Sequence, residues 1–319
     1  MGADDARRPV IVWAMEAFPN RPVYDSELKM VSALHWHFPN STIIPVYILS
    51  DRVFAARGFG HFLRPALKPA ALKVMRRFFS DISRTHSLRI SRPRVLREAS
   101  SSRDDCALKL VRFAEKIHAD YIALGSRGIP LLARLMGQSF SEAVLRFSRI
   151  PLFVVGPNVS TCSGPPQAVI LACDFTAPPT LRFNEILKFV ANFEAELHLF
   201  HKTDSRSSRF FKFAGVSPFT ETLWSAQHSF HSEHAHELRL LARLRDWIDL
   251  TRARGIKTRL ANENFRETTA KAIVNYLRRL GDASALVALT APSKQGPYFS
   301  NIAREVIRMS PFPVFMTPA

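Results

Sequence analysis

Cysteine is scarce: the chain of 319 residues has three, Cys106, Cys162 and Cys173. At these separations they make neither a disulfide framework nor a metal-binding spacing. Long apolar runs are also missing. No stretch approaches eighteen uninterrupted apolar residues, so the sequence offers no membrane-spanning helix. The N-terminus, Met1-Gly2-Ala3-Asp4-Asp5-Ala6-Arg7-Arg8, lacks the basic-then-apolar order of a signal peptide. Ala6 stands where a myristoylation signal carries Ser or Thr. The expectation is a cytoplasmic protein with free thiols. Acidic residues are few beside basic ones, 27 against 44, for a formal net charge of +17. That imbalance attracts polyanions, nucleic acid or an acidic membrane surface, and does not bear on fold.

What is present is enough apolar residue, 47%, to build ordinary cores, and length for two domains. The chain echoes itself. Leu145-Arg146-Phe147-Ser148-Arg149-Ile150-Pro151-Leu152-Phe153-Val154 aligns with Ile307-Arg308-Met309-Ser310-Pro311-Phe312-Pro313-Val314-Phe315-Met316. In each, a helix ends in Arg-x-Ser and a Pro introduces a short apolar strand. Val10 to Phe18 echoes Val169 to Thr176 in the same way. Between the copies, Pro157 to Gln167 is rich in Pro, Gly and Ser and reads as a linker. The sequence therefore predicts a tandem duplication, with domains over 1–156 and 168–319.

Strands and helices alternate within each copy. In the first, strands are expected near 9–15, 42–49, 94–97, 121–124 and 152–155, with helices near 26–37, 70–82, 104–119 and 140–149. In the second, strands fall near 168–173, 196–201, 257–261, 285–289 and 314–316, with helices near 181–193, 226–254, 266–280 and 302–309. Continuous apolar strands between amphipathic helices indicate an α/β fold with parallel sheets covered on both faces.

The stretch from Ala123 to Pro157 holds the clearest motif. A short apolar strand ends on Gly125-Ser126-Arg127-Gly128, a helix runs through Ser141-Glu142-Ala143-Val144-Leu145-Arg146, and a second apolar strand follows. Strand, glycine turn, helix and strand suit a phosphate, because glycines permit close backbone approach and a helix start offers free N–H groups. This segment resembles the universal stress protein family, which commonly carries Gly-x-x-Gly, nine residues, Gly-Ser/Thr, and a similar helix. Asp174-Phe175-Thr176 and Glu194-Ala195-Glu196-Leu197-His198-Leu199-Phe200-His201 resemble the family's segments after strand one and at strand two. The resemblance implies two tandem doubly wound five-stranded parallel sheets, strand order 3-2-1-4-5, with the fifth strands at the domain junction. It implies that the fused copies pair within the chain as single-domain members pair in dimers, and it admits a homodimer of the whole. Some members bind ATP and others do not.

In such a sheet a ligand sits where the strand order reverses, beyond strands one and four. The resemblance assigns the first half Glu16 at the end of strand one, Gly125, Arg127 and Gly128 in the loop, and Ser139 at the Ser/Thr position. Gln138 stands where the third family glycine belongs, and Gly137 falls one place early. ATP or a related adenine nucleotide is the ligand implied. The competing reading is that Ser139-x-x-Glu142 is a capping box and the glycines only turn the chain. The second half keeps Asp174 as a remnant, but Thr290 and Ser293 replace the loop glycines and the loop is three residues shorter. No family-type ATP site is expected there.

Three other features carry weaker signals. Residues 51–99 hold twelve Lys or Arg, three acids and interleaved phenylalanines. That composition suits nucleic acid or an acidic membrane surface, or else a solvated helix face. His228, His231 and His234 share one helix side at three-residue steps, which could serve zinc but matches no strong zinc motif, so no metal is expected. Asp174 has no assignable partner base or nucleophile, so no catalysis is proposed. The reading is a non-catalytic stress-response or regulatory protein; the alternative is an interaction module that has lost its nucleotide and contacts a polyanionic or protein partner.

Overall fold

The computed structural model describes residues 8–17, 21–50, 64–82, 87–126, 140–160, 162–172, 181–203, 235–264, 267–280, 285–290 and 301–317. The chain forms two units, one of Met1–Pro165 with Ala291–Ala319 and one of Pro166–Thr290.

The first unit is built on β1 (Val10–Ala14), in which Ile11, Val12 and Trp13 are fully buried. Burial on both faces explains the unbroken apolar run. β1 pairs in parallel with β2 (Thr42–Ser50) on one side and β5 (Tyr121–Gly125) on the other. β2 pairs in turn with β3 (Arg89–Ile90) and β4 (Arg94–Glu98), and β5 with β6 (Leu152–Val155). For the five strands expected of the first half, this is the order 3-2-1-4-5; the two-residue β3 is an addition that sequence did not suggest. Beyond β6 lies β11 (Val314–Thr317), antiparallel, with Val314 opposite Val154 and Phe315 opposite Phe153. Every residue of both strands is buried.

The helices of this unit are α1 (Arg21–His37), α2 (Arg64–Ile82), α3 (Arg103–Lys116), α4 (Phe140–Phe147) and α8 (Asn301–Met309). α3 shows why the sequence folds as it does. Ser102 caps it by accepting from the Asp104 N–H at 3.2 Å, with Asp104 and Asp105 in the first turn where the helix dipole favours them. Cys106, Ala107, Leu110, Val111 and Ala114 form its buried stripe. It ends at His118, whose φ of 53° is the left-handed turn that closes many helices. α2 begins six residues before the expected start; Pro69 lies inside it and is tolerated near the N-terminal end.

The second unit carries β7 (Ala168–Ala172), α5 (Leu181–Ala191), β8 (Glu196–Thr203), α6 (Ala235–Arg252), β9 (Thr258–Asn264), α7 (Thr269–Arg279) and β10 (Ala285–Thr290). Its strands are all parallel, in the order β10-β7-β8-β9. β1 lies between β2 and β5 and β7 between β8 and β10, the same arrangement in each unit. Phe183, Phe189 and Phe200 are fully buried here, and Trp247 packs on Phe183 with ring centres 4.2 Å apart and the rings tilted by 51°.

The repeat seen in the sequence has a matching local structure. Ser148 donates to the Ile150 carbonyl at 2.7 Å and accepts from the Ile150 N–H at 3.0 Å. Ser310 donates to the Phe312 carbonyl at 2.7 Å and accepts from the Phe312 N–H at 3.1 Å. Both serines are buried. Each ties off a helix and sets the chain into a fifth strand.

Two expected outcomes follow from this packing. A Cβ at Gly156, just after β6, would run into the Ile307 carbonyl of α8. Gly156→Ala should therefore destabilise the protein by about 2 kcal/mol or more, read by urea denaturation. His37 is buried against the Phe153 ring, and its Nδ1 lies 2.8 Å from the Ala33 carbonyl. Burial lowers its pKa to about 4, against the opposing pull of that carbonyl. Between the unfolded value of about 6.5 and about 4, the unfolded chain binds this proton and the folded chain does not. Stability is complete above that window and falls as pH drops through it, by up to about 3 kcal/mol. His37→Gln should flatten this part of the stability–pH curve measured between pH 7 and 4.

Candidate functional site: the crevice beyond β1 and β5

In the first unit the strand order reverses between β1 and β5, since β1 leads outward to β2 and β5 outward to β6. A crevice opens beyond the carboxyl ends of two such strands. Glu16 follows β1 by two residues, and Gly125 ends β5. Each is contacted by a residue of α1 that sequence reasoning missed, Glu27 for Glu16 and Ser26 for Gly125. The Glu16 N–H donates to Glu27 Oε1 at 3.1 Å. The Ser26 Oγ stands 3.3 Å from where a Cβ would project at Gly125.

Glu27 is a carboxylate buried to 8% exposure. Its position had a signal. Glu27, Met30, Val31 and Leu34 fall at i, i+3, i+4 and i+7, the buried face of α1. A charged residue in an apolar stripe is held there by a specific partner or a function.

At Gly125 the missing side chain leaves room for a neighbour on α1. Its φ lies outside the left-handed region. The absence of a side chain, not an unusual backbone angle, lets Ser26 approach. Past Gly125 the chain stays in the ladder for one more bond, Ser126 N–H to the Val155 carbonyl at 2.8 Å. Arg127, Gly128, Gly137, Gln138 and Ser139 then lie outside the described residues.

α4 takes up the chain after the loop and is fixed from two sides. Arg304 Nε of α8 donates to Glu142 Oε1 at 2.6 Å, and Arg146 Nη1 donates to Asp104 Oδ2 at 2.9 Å. Glu142 and Arg146 are 13% and 16% exposed, so both pairs are partly withdrawn from water. Removing one partner of a buried pair costs more than an exposed pair contributes.

In the second unit the same reversal lies between β7 and β10. Asp174, Cys173 and Ser293 fall outside the described residues, as do His228, His231 and His234. Among the described residues no group of three or more His, Cys, Asp or Glu is placed to hold a metal ion. Cys106 and Cys162 are in no disulfide; burial pushes the Cys162 thiol up to about 11, which leaves it protonated and a poor nucleophile at neutral pH. No helix among the described residues is long and apolar enough to cross a membrane.

With this geometry in place, the comparisons with known proteins bear out the family resemblance. Residues 98–156, from the end of β4 through the glycine loop to β6, match the model of the universal stress protein family. A universal stress protein from Archaeoglobus fulgidus DSM 4304 shares the fold over 97% of this chain and 96% of its own, with TM-score 0.55 and 15% identity. A functionally unknown protein from Pseudomonas aeruginosa PAO1 shares it over 98% and 93%, with TM-score 0.54 and 12% identity. A search of curated proteins gives no match.

The Glu27 bridge generates a direct expectation. Glu27→Ala leaves the Glu16 N–H without this acceptor and should cost about 1–3 kcal/mol of stability. Gly125→Ala, with Ser26 Oγ free to swing by a few tenths of an ångström, should cost under about 1 kcal/mol. Thermal melting of the two variants side by side checks both.

Proposed function

We propose that the chain is a tandem universal stress protein: a cytoplasmic stress-response or regulatory protein, without turnover of its own, whose first half binds ATP or a related adenine nucleotide. The two copies are residues 1–156 and 168–319, with the last strand of the second packed beside the last strand of the first. One observation carries the nucleotide reading. Glu16 and Gly125 stand at the ends of the two strands at which strand order reverses, and neighbouring residues of α1, Glu27 and Ser26, contact them, ahead of a helix. In this reading Glu16 accepts from the nucleoside hydroxyls. Gly125, Arg127, Gly128, Gly137, Gln138 and Ser139 wrap the phosphates, with Arg127 supplying charge. The acids stand on the nucleoside side because carboxylates repel phosphate. The second half keeps Asp174 as a remnant and binds nothing of this kind. No metal is required.

The competing reading is an interaction module that has given up nucleotide and meets a polyanionic or protein partner through its basic surface. A denaturing extraction of freshly purified protein separates the two. Near-stoichiometric adenine nucleotide by mass spectrometry, lost in a Gly125→Val/Gly128→Val double variant, is the expected result. No ligand, and no shift in melting temperature with millimolar ATP, would turn the reading to the interaction module. Phosphate release above that of a Gly128→Trp control would instead make the protein a hydrolase.

A further inference from the structure

One flank of the first unit is basic and has almost nothing acidic to answer it. On α2, Lys68, Lys73, Arg76 and Arg77 are exposed. α2 packs beside β4, and along that edge of the sheet Arg89, Arg92, Arg94 and Arg97 are exposed as well. Among the described residues none of these eight side chains makes an ion pair or a hydrogen bond. The acids in the same elements are Asp81, which is exposed, and Glu98, which is half-buried 3.9 Å from Lys109. This flank therefore carries a large uncompensated part of the chain's formal charge of +17.

We infer that this flank binds the phosphate backbone of nucleic acid without reading its sequence. The inference gives the basic-surface reading a definite partner and does not depend on nucleotide in the crevice. Three observations favour it over other acidic partners. First, the cations are spread along a helix and a strand edge and do not converge on a point. Lys68 to Arg77 alone covers about 13 Å of helix axis. A linear array of charge matches a linear polyanion, with one phosphate per about 1.7 Å of duplex, better than a single small anion. Second, the apolar side of α2 is already used: Leu67, Ala71, Met75, Phe79 and Ile82 are buried in the core. The helix has no free apolar stripe to insert into lipid, which surface-bound membrane helices need. Third, six of the eight are arginines, whose planar guanidinium engages phosphate oxygens two at a time. The phenylalanines of α2 face inward on Trp13, at 6.3 Å for Phe78 and 5.4 Å for Phe79. They are not set out as a platform for stacking bases, so a duplex backbone is the target rather than a single strand read by its bases.

The test uses the full chain and a fluorescent 30-base-pair duplex of arbitrary sequence, with anisotropy read across a salt series. Binding should saturate at 50 mM salt and weaken steeply, with a log–log slope of about −4 for four to five phosphates neutralised. The triple variant Lys73→Gln, Arg76→Gln, Arg77→Gln should lose at least tenfold in affinity and make the slope shallower by two or more. A control with equal charge loss elsewhere, Lys116→Gln, Lys271→Gln, Arg278→Gln, should stay within about twofold. Equal losses in the two triples would overturn the inference, since net charge alone would then explain binding. Absence of saturable binding at 50 mM salt would overturn it too. Capture by phosphatidylserine vesicles but not by duplex, lost in the first triple only, would overturn nucleic acid as the partner and leave the basic surface itself intact.

Discussion

The antiparallel pair of β6 and β11 is the constraint on which the first unit depends. Its eight residues are all buried, and Phe153 faces Phe315 at its centre. β5 lies on the other side of β6, so the strand that ends at Gly125 is positioned by a sheet whose far margin comes from the other end of the sequence. α8 presses on Gly156 and holds α4 through Arg304 and Glu142. The helix that follows the glycine loop is thus anchored by a residue more than 160 positions later in the chain. The crevice belongs to the first half by sequence, yet residues from beyond position 300 help to hold its frame.

Within that frame the crevice is defined more by α1 than by the glycines. Ser26 and Glu27, neighbours on one turn, contact the ends of two different strands. The buried Glu27 carboxylate thereby holds the backbone of the half-buried Glu16.

Much of the fold was legible in the sequence for a simple reason. Buried parallel strands and amphipathic helices leave different periods, and β1, β5, β7 and β10 are too uniformly apolar to be anything else. The Ser148 and Ser310 turns were legible too, because a serine that satisfies its own chain two residues on needs no distant partner. What escaped detection was non-local. Glu27 drew no notice in the sequence, since its partner is the backbone of a residue eleven positions away. The early start of α2 was hidden by two prolines that read as breakers but are tolerated near a helix start. Nothing in Val314 to Thr317 itself says that it packs in one unit with Leu152 to Val155; that expectation came from the family resemblance, and the two apolar runs are otherwise interchangeable.

The position of β11 also sets an order of events during synthesis. Pro166–Thr290 contains every strand of the second unit before residue 291 is made. The first unit needs Val314–Thr317 to cover β6, so the half that emerges first is finished last. Until then β6 exposes an apolar, unpaired edge, the feature that invites pairing with another chain. While the nascent chain waits, its first half is a natural client for chaperones, and any stop codon upstream of residue 314 would make that dependence permanent.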